Sequence, residues 1–389
     1  MSLGLIKKGS PSSQLGNVGT PTAVQLSANG LRAFYRAQEV NSYTIYGQTV
    51  YNGDIRALDW NGTSWSVVPG IGGDTGGGEI YDEGLGFIKI AANGQSVAWD
   101  FRYYSPNTYN YRGIHASGLN PVVYYSFAAS NNAAPSSQNS SAITTSANES
   151  NTNVYSPRLI RFSNDASLRF IYYYSGNNLI EVNAGLSGSR PSLLFPSNGT
   201  YGNGLQNFEI SGDGNHVFVF IGNSLKVFSW DGTTWQFSYT FTSAGPTFAV
   251  NSDGSVVAIQ NAGSVKVYKK TGSTWAQLGG DLANGAPWVN STGTLVNLQN
   301  NTPTGALYSW NGTAWKFQRT TFASAFWSGN PISDNGEVAI TPASAGAIQR
   351  YESQQNVSAI YKGSTIPSAI YAGATPASSV YFRSKKIWP

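Results

Sequence analysis

Phe248-Ala-Val-Asn-Ser-Asp-Gly-Ser-Val-Val-Ala-Ile259, then Gly263-Ser-Val-Lys-Val-Tyr268, then Gly272-Ser-Thr-Trp-Ala-Gln-Leu278, is the stretch that decides the architecture. Its apolar residues alternate or run in short β-branched blocks, and polar glycine turns separate the blocks. That pattern reads as strand, turn, strand, loop, strand, turn, strand, a four-stranded antiparallel sheet folded from consecutive residues. Asp-Gly and Asn-Gly suit the turns because glycine enters positive φ without steric cost and Asn or Asp tolerates it.

The same unit recurs. Trp235, Trp275 and Trp315 stand 40 residues apart, as do Gly232, Gly272 and Gly312, and an earlier copy is Trp60-Asn-Gly-Thr-Ser-Trp65. The polar turn followed by an apolar strand occurs at Asn29-Gly30, Asn93-Gly94, Asn164-Asp165, Asp213-Gly214, Asp253-Gly254, Thr292-Gly293 and Asn335-Gly336, seven in all. A period near forty with four strands in each repeat is the signature of a β-propeller, in which each repeat is one blade. The expected fold is therefore all-β, a seven-bladed β-propeller of four-stranded antiparallel blades over 21–356, after an N-terminal arm at 1–20 and before a C-terminal hairpin-repeat tail at 357–389. Successive turns lie 64, 71, 49, 40, 39 and 43 residues apart, which places insertions in the early blades, chiefly at about 102–120 and about 128–153. The second insert is nearly all small and polar and has little to bury.

Composition narrows the functional classes. Charged residues make up 11% of the chain, aromatics 13%, and the net charge is +4 without a long basic run, so a nucleic-acid partner is not expected. With no cysteine, disulfides and thiolate metal sites are absent, and stability must come from buried apolar and aromatic area. Each buried indole or phenol ring removes about 150–250 Å² from water, roughly 4–6 kcal/mol gross before entropy. No apolar run approaches a membrane span, and Lys7 and Lys8 follow a very short apolar stretch, the wrong order for a secretory signal. A neutral, aromatic surface without a signal suits a protein carried outside the cell in an assembled particle.

Beyond residue 356, Tyr361, Tyr371 and Tyr381 recur ten apart in Tyr-Lys-Gly-Ser-Thr, Tyr-Ala-Gly-Ala-Thr and Tyr-Phe-Arg-Ser-Lys contexts, ending in Trp388. This short repeat resembles the C-terminal Tyr-Leu-Gly-x-Thr repeats of phage tail and other virion proteins, with departures at Lys362, Ala372 and Arg383. The blade unit resembles FG-GAP and kelch-like β-propeller repeats over about 205–320. Calcium-binding versions carry several Asp in one loop, whereas Asn251-Ser-Asp-Gly254 has one carboxylate, so no metal is expected. A sialidase Asp-box pairs similar residues, but in Ser229-Trp-Asp-Gly-Thr-Thr-Trp235 the Asp and Gly are adjacent and the match fails.

Candidate binding residues are aromatic. Tyr103, Tyr104, Tyr109, Tyr111 and Arg112 form the densest Tyr/Arg cluster outside the regular blades, and these residue types give contact area with a polar tip. Trp65, Trp235, Trp275 and Trp315 read as core residues packed between blades. Their companions Trp60, Trp230 and Trp310 give way to Lys270 in the fifth copy, which predicts a near-surface position open to sugar or protein. His115 and His216 are the only histidines, and they read as structural. No Gly-x-Ser-x-Gly elbow is paired with a histidine, and no cofactor motif occurs. The leading expectation is a non-enzymatic structural or adhesion protein of a virus particle, a phage tail or fibre component present in multiple copies. It would join other virion proteins through a terminus and present loops to a host glycan or protein. A secreted, lectin-like carbohydrate-binding propeller is the alternative. A propeller hydrolase would require a cluster of acids in the central channel.

Overall fold

A computed structural model describes residues 5–8, 18–45, 48–68, 80–81, 88–94, 96–104, 110–119, 122–128, 156–165, 167–174, 177–184, 188–196, 205–299, 304–322, 331–342, 347–353, 371–372, 375–376, 380–382 and 385–388. Every element among them is a strand. After β1 (Leu5–Lys8) comes a first sheet of β2 (Val18–Leu26), β3 (Arg32–Ile45), β4 (Gln48–Trp60) and β5 (Trp65–Val67). The second contains β6 (Ile80–Tyr81), β7 (Ile88–Ile90), β8 (Ser96–Tyr104), β9 (Asn110–Leu119) and β10 (Val122–Ala128). The third is β11 (Ser156–Phe162), β12 (Leu168–Tyr174), β13 (Asn177–Ala184) and β14 (Gly188–Pro196), and the fourth β15 (Leu205–Ile210), β16 (His216–Ile221), β17 (Ser224–Trp230) and β18 (Trp235–Thr242). The fifth is β19 (Phe248–Val250), β20 (Val256–Asn261), β21 (Ser264–Thr271) and β22 (Thr274–Gln277). The sixth is β23 (Ala286–Val289), β24 (Leu295–Gln299), β25 (Thr304–Trp310) and β26 (Trp315–Phe322).

The next sheet is assembled from both halves of the chain. β27 (Val338–Pro342) pairs with β28 (Ile348–Ser353), and β28 pairs on its other side with β1 in the register Leu5↔Ser353 to Lys8↔Arg350. Part of the segment expected as an N-terminal arm thus supplies a sheet edge, and β2 begins at Val18 within that segment. Among the described residues beyond 356 there are two hairpins, β29 (Tyr371–Ala372) with β30 (Thr375–Pro376) and β31 (Val380–Phe382) with β32 (Lys385–Trp388). The polar insert at about 128–153 lies outside the described residues apart from Ala128. The all-β chain of several four-stranded antiparallel sheets has a propeller-like arrangement.

The polar turns join the sheets to one another. Ala28 N donates to Ala92 O (2.9 Å), Asn93 N to Asn164 O (3.0 Å), Asn164 N to Gly212 O (2.6 Å) and Asp213 N to Ser252 O (2.8 Å). Ser252 N then donates to Ser291 O (3.1 Å), Ser291 N to Asp334 Oδ1 (2.6 Å) and Asp334 N back to Ala28 O (2.8 Å). In six of the seven turns the leading Ser or Asn accepts the backbone N–H five residues on, as in Leu168 to Ser163 Oγ (3.0 Å), Val256 to Asn251 Oδ1 (2.8 Å) and Val338 to Ser333 Oγ (2.9 Å); the Asn93-Gly94 turn has Ala91 at that place. The turn glycines have φ near +70°, and each abuts the preceding sheet: a Cβ on Gly254 (φ +69°) would lie 2.7 Å from the His216 ring. Conformation and close approach together select glycine there.

Between sheets lie buried apolar clusters. One joins Phe170, Val182, Phe208 and Val219 of the third and fourth sheets, and another joins Phe218, Val227, Phe241 and Trp275 of the fourth and fifth. The Trp pairs pack against each other, edge to face for Trp60/Trp65 (centroids 5.2 Å apart) and tilted for Trp230/Trp235 (5.3 Å) and Trp310/Trp315 (5.4 Å). Trp60 and Trp65 are each only 8% exposed, which corrects the near-surface position expected of Trp60. The cause is a guanidinium from the neighbouring sheet: Arg350 Cζ sits 4.9 Å from the Trp60 ring while its Nη1 reaches Gly30 O. Arg190 repeats the device, 5.0 Å from Trp230 and 2.7 Å from Gly214 O.

Candidate functional site

In five of the sheets the residue two positions before the turn Ser or Asn lies on an innermost strand. Gln25, Arg161, Glu209, Ala249 and Trp288 hold this position before Ser27, Ser163, Ser211, Asn251 and Asn290, and all five line one cavity of about 480 Å³. Its wall also includes Ala28, Ala92, Asn164, Gly212, Ser252, Ser291 and Asp334, the turn residues that hydrogen-bond in circuit. The space is therefore the central channel of the arrangement, and its volume lies within the roughly 300–1,000 Å³ typical of small-ligand pockets.

Side chains join the sheets around the channel at the turn level. Asn164 Nδ2 donates to Ser252 Oγ (2.6 Å), passing over Gly212, where a Cβ would stand 2.2 Å from that nitrogen. Gly212 is glycine for this approach, not for its backbone angle. On the adjacent wall the Asp334 carboxylate accepts from both the backbone N (2.6 Å) and the hydroxyl of Ser291.

Deeper in the cavity Arg161 and Glu209 form an ion pair from the third to the fourth sheet (Nε to Oε2, 2.8 Å), with side chains 7% and 20% exposed. Arg161 Nη2 also donates to Asn207 Oδ1 (3.1 Å), Asn207 Nδ2 donates to Pro246 O (2.9 Å), and the guanidinium lies 5.2 Å above the Phe208 ring. Low exposure and several partners hold this pair in one geometry. Trp288 lines the same space half-buried, and Gln25 adds an amide. Adjacent donor and acceptor groups with an aromatic wall suit a ligand that carries hydroxyls on an otherwise apolar ring. Among the described residues no group of three or more His, Asp or Glu converges as a metal-ligand set.

The sequence-selected residues lie elsewhere. Tyr103 and Tyr111 are cross-strand partners on β8 and β9, as are Arg102 and Arg112, with Tyr104 opposite Asn110; Tyr109 falls outside the described residues. Trp60, Trp230 and Trp310 belong to the outer hairpins, Trp60 buried and the other two half-buried. Trp60, Trp230 and Trp310 are not among the described residues that line the channel cavity. His216 sits beneath Gly254 between the fourth and fifth sheets, and burial, followed by Lys270, lowers its pKa and favours the neutral ring. Asn61 is committed to its turn, its Oδ1 accepting from Thr63 N (2.9 Å) and Ser64 N (2.8 Å), as Asn311 does with Thr313 and Ala314. The channel residues had a signal in sequence, since each stands two before a turn Ser or Asn. Read without the fold, that position alternates Gln, Arg, Glu, Ala and Trp and shows no common chemistry.

No family model matches the chain, and no curated protein sequence does. Among solved structures it is similar to a Bacteroides fragilis protein described as a "putative 6-phosphogluconolactonase" (10% identity, 78% of this chain and 84% of that chain, TM-score 0.47). It is also similar to one so described from Bacteroides uniformis (12% identity, 78% and 85%, TM-score 0.47) and to a Lactobacillus plantarum protein (12% identity, 78% and 85%, TM-score 0.46). At these identities the likeness concerns the propeller-like fold alone. Two of these neighbours carry an enzyme description, which stands against the expectation that the chain is non-enzymatic. The FG-GAP and kelch resemblance rests on the sequence motifs.

Proposed function

We propose that the chain is a seven-bladed β-propeller serving as a structural and host- or partner-binding component of a virus particle, docked through its C-terminal segment. The blade count is supported by the seven polar turns and their unbroken hydrogen-bond circuit. The observation that carries the docking role is the placement of β28. Because β1 already occupies its outer side, the chain beyond Ser353 leaves from an inner strand of a completed sheet and is not needed to close the ring. The Tyr-centred decapeptides, two of which contain short hairpins, are then available for assembly with other virion proteins. Particles assembled with a chain ending at residue 356 are expected to lack the propeller, while the truncated chain alone keeps its folded circular dichroism spectrum. Normal incorporation of the truncated chain would refute the docking role.

A carbohydrate-binding propeller is the second reading, favoured by Trp288, Gln25 and the Arg161–Glu209 pair around one cavity. A glycan array in which binding is lost in Trp288→Ala but retained in Trp230→Ala would support a channel site, and loss only in Trp230→Ala would move it to the outer hairpins.

A further inference from the structure

The face of the sixth sheet turned toward the seventh differs from its counterparts. Cross-strand partners project on the same side of a sheet, so Trp288, Asn297, Leu307 and Arg319 form one row across β23–β26. That side faces the seventh sheet, because Leu295 and Leu307 both lie 3.2 Å from the Cβ position of Gly336. The matching row in the fourth sheet is Glu209, Phe218, Val227 and Tyr239, apolar beyond the channel. In the sixth sheet Asn297 is 0% and Arg319 8% exposed, yet Asn297 Nδ2 and Arg319 Nε and Nη2 have no hydrogen-bond acceptor.

These orphan groups are all donors. Thr321 donates its hydroxyl to Asn297 Oδ1 (2.8 Å), which engages the amide oxygen and leaves Nδ2 to point elsewhere. The intervening strand makes room with Gly305, where a Cβ would stand 2.5 Å from Thr321 Oγ1. Glu337 lies near enough to favour the charged form of Arg319 against its burial, but its Oε2 accepts from Asn335 Nδ2 (2.9 Å). A buried guanidinium without an anion is costly, and so is each unmade donor, so the arrangement is poised for a species that only accepts. We propose that the interface between the sixth and seventh sheets binds a small oxyanion, phosphate-like or carboxylate, through Arg319 and Asn297. Arg319 supplies the charge and a two-donor fork, which matches two oxygens of such an anion, and Asn297 supplies a third donor.

The test is thermal unfolding of the full chain in 0–5 mM sodium phosphate at ionic strength held constant with sodium chloride, with sodium acetate in parallel. Low millimolar anion keeps general salting effects small. The expected result is a saturable rise in Tm with phosphate, acetate or both, the effective one indicating which geometry fits. In Arg319→Met the rise is expected to vanish, and in Arg319→Lys, which keeps the charge without the fork, the midpoint is expected to move at least tenfold upward. A flat response of the natural chain to both anions, or an equal rise in Arg319→Met, would overturn the proposal. If Arg319→Met does not fold, Arg319→Lys and Asn297→Ala decide: an unchanged midpoint in both refutes the site.

Discussion

The boundary between the fourth and fifth sheets and the boundary between the sixth and seventh are built from equivalent strand positions with opposite chemistry. At the first, Phe218, Val227 and Phe241 are buried against Trp275, with Phe218 to Trp275 centroids 6.1 Å apart and Phe241 to Trp275 5.2 Å. At the second, Asn297, Arg319 and Thr321 stand where Phe218, Tyr239 and Phe241 stand in the fourth sheet, and the described residues contain no buried apolar cluster bridging it. The seventh sheet offers no tryptophan hairpin to cover, because its outer strand is β1 from the far end of the chain. The repeat pattern therefore sets where a side chain points. What it meets is decided by the neighbouring sheet.

The largest expected effect lies on the apolar side. Phe218→Ala, at 0% exposure, should lower unfolding free energy by about 3–5 kcal/mol in urea titration, through lost transfer energy and a cavity. A loss below 1 kcal/mol would mean the boundary collapses freely and is not close-packed. The turn glycines sharpen the contrast because their backbone strain is matched: Gly254 has φ +69° and Gly336 φ +73°. An alanine costs each roughly 1–2 kcal/mol for the left-handed conformation. Gly254→Ala should cost measurably more than Gly336→Ala, since its Cβ meets the His216 ring at 2.7 Å against 3.2 Å to the flexible ends of Leu295 and Leu307. Equal losses would show that the two boundaries are equally loose.

On the polar side the sign reverses. In buffer free of oxyanions Arg319→Met should be neutral or stabilising by about 1 kcal/mol, because an apolar side chain of similar length replaces a buried, incompletely paired charge. A large destabilisation would mean that the guanidinium is already satisfied. The smallest effect is a pH dependence at the apolar boundary. His216 has a lowered pKa in the folded chain, so the unfolded chain binds more protons as pH falls through the ordinary histidine value of about 6.5. Stability should be fully present above that value and decline below it toward the depressed folded pKa. The decline should be absent in His216→Gln, as measured by Tm between pH 7 and 5.

Much of the fold was legible because local chemistry repeats. Asn29-Gly30, Asp213-Gly214 and Asp253-Gly254 mark turns that need positive φ, and the alternating strands after them pair with their sequence neighbours. The channel site was not legible. Arg161 and Glu209 are 48 residues apart, and their ion pair exists only because two inner strands lie side by side. Trp60 misled for a related reason: the Lys270 substitution in another repeat says nothing about Arg350, which arrives from the last sheet to cover this particular ring.

Sequence by itself determined the sheet unit, its turns and the positions of its indoles, since hydrogen-bonding period and glycine conformation act over a few residues. Only the tertiary structure decided that β1 completes the sheet of β27 and β28, that polar side chains converge on the channel, and that Arg319 is buried without a full set of acceptors. Each of these depends on which sheets become neighbours. Contacts between distant segments form when the ring assembles, and no local pattern encodes their partners.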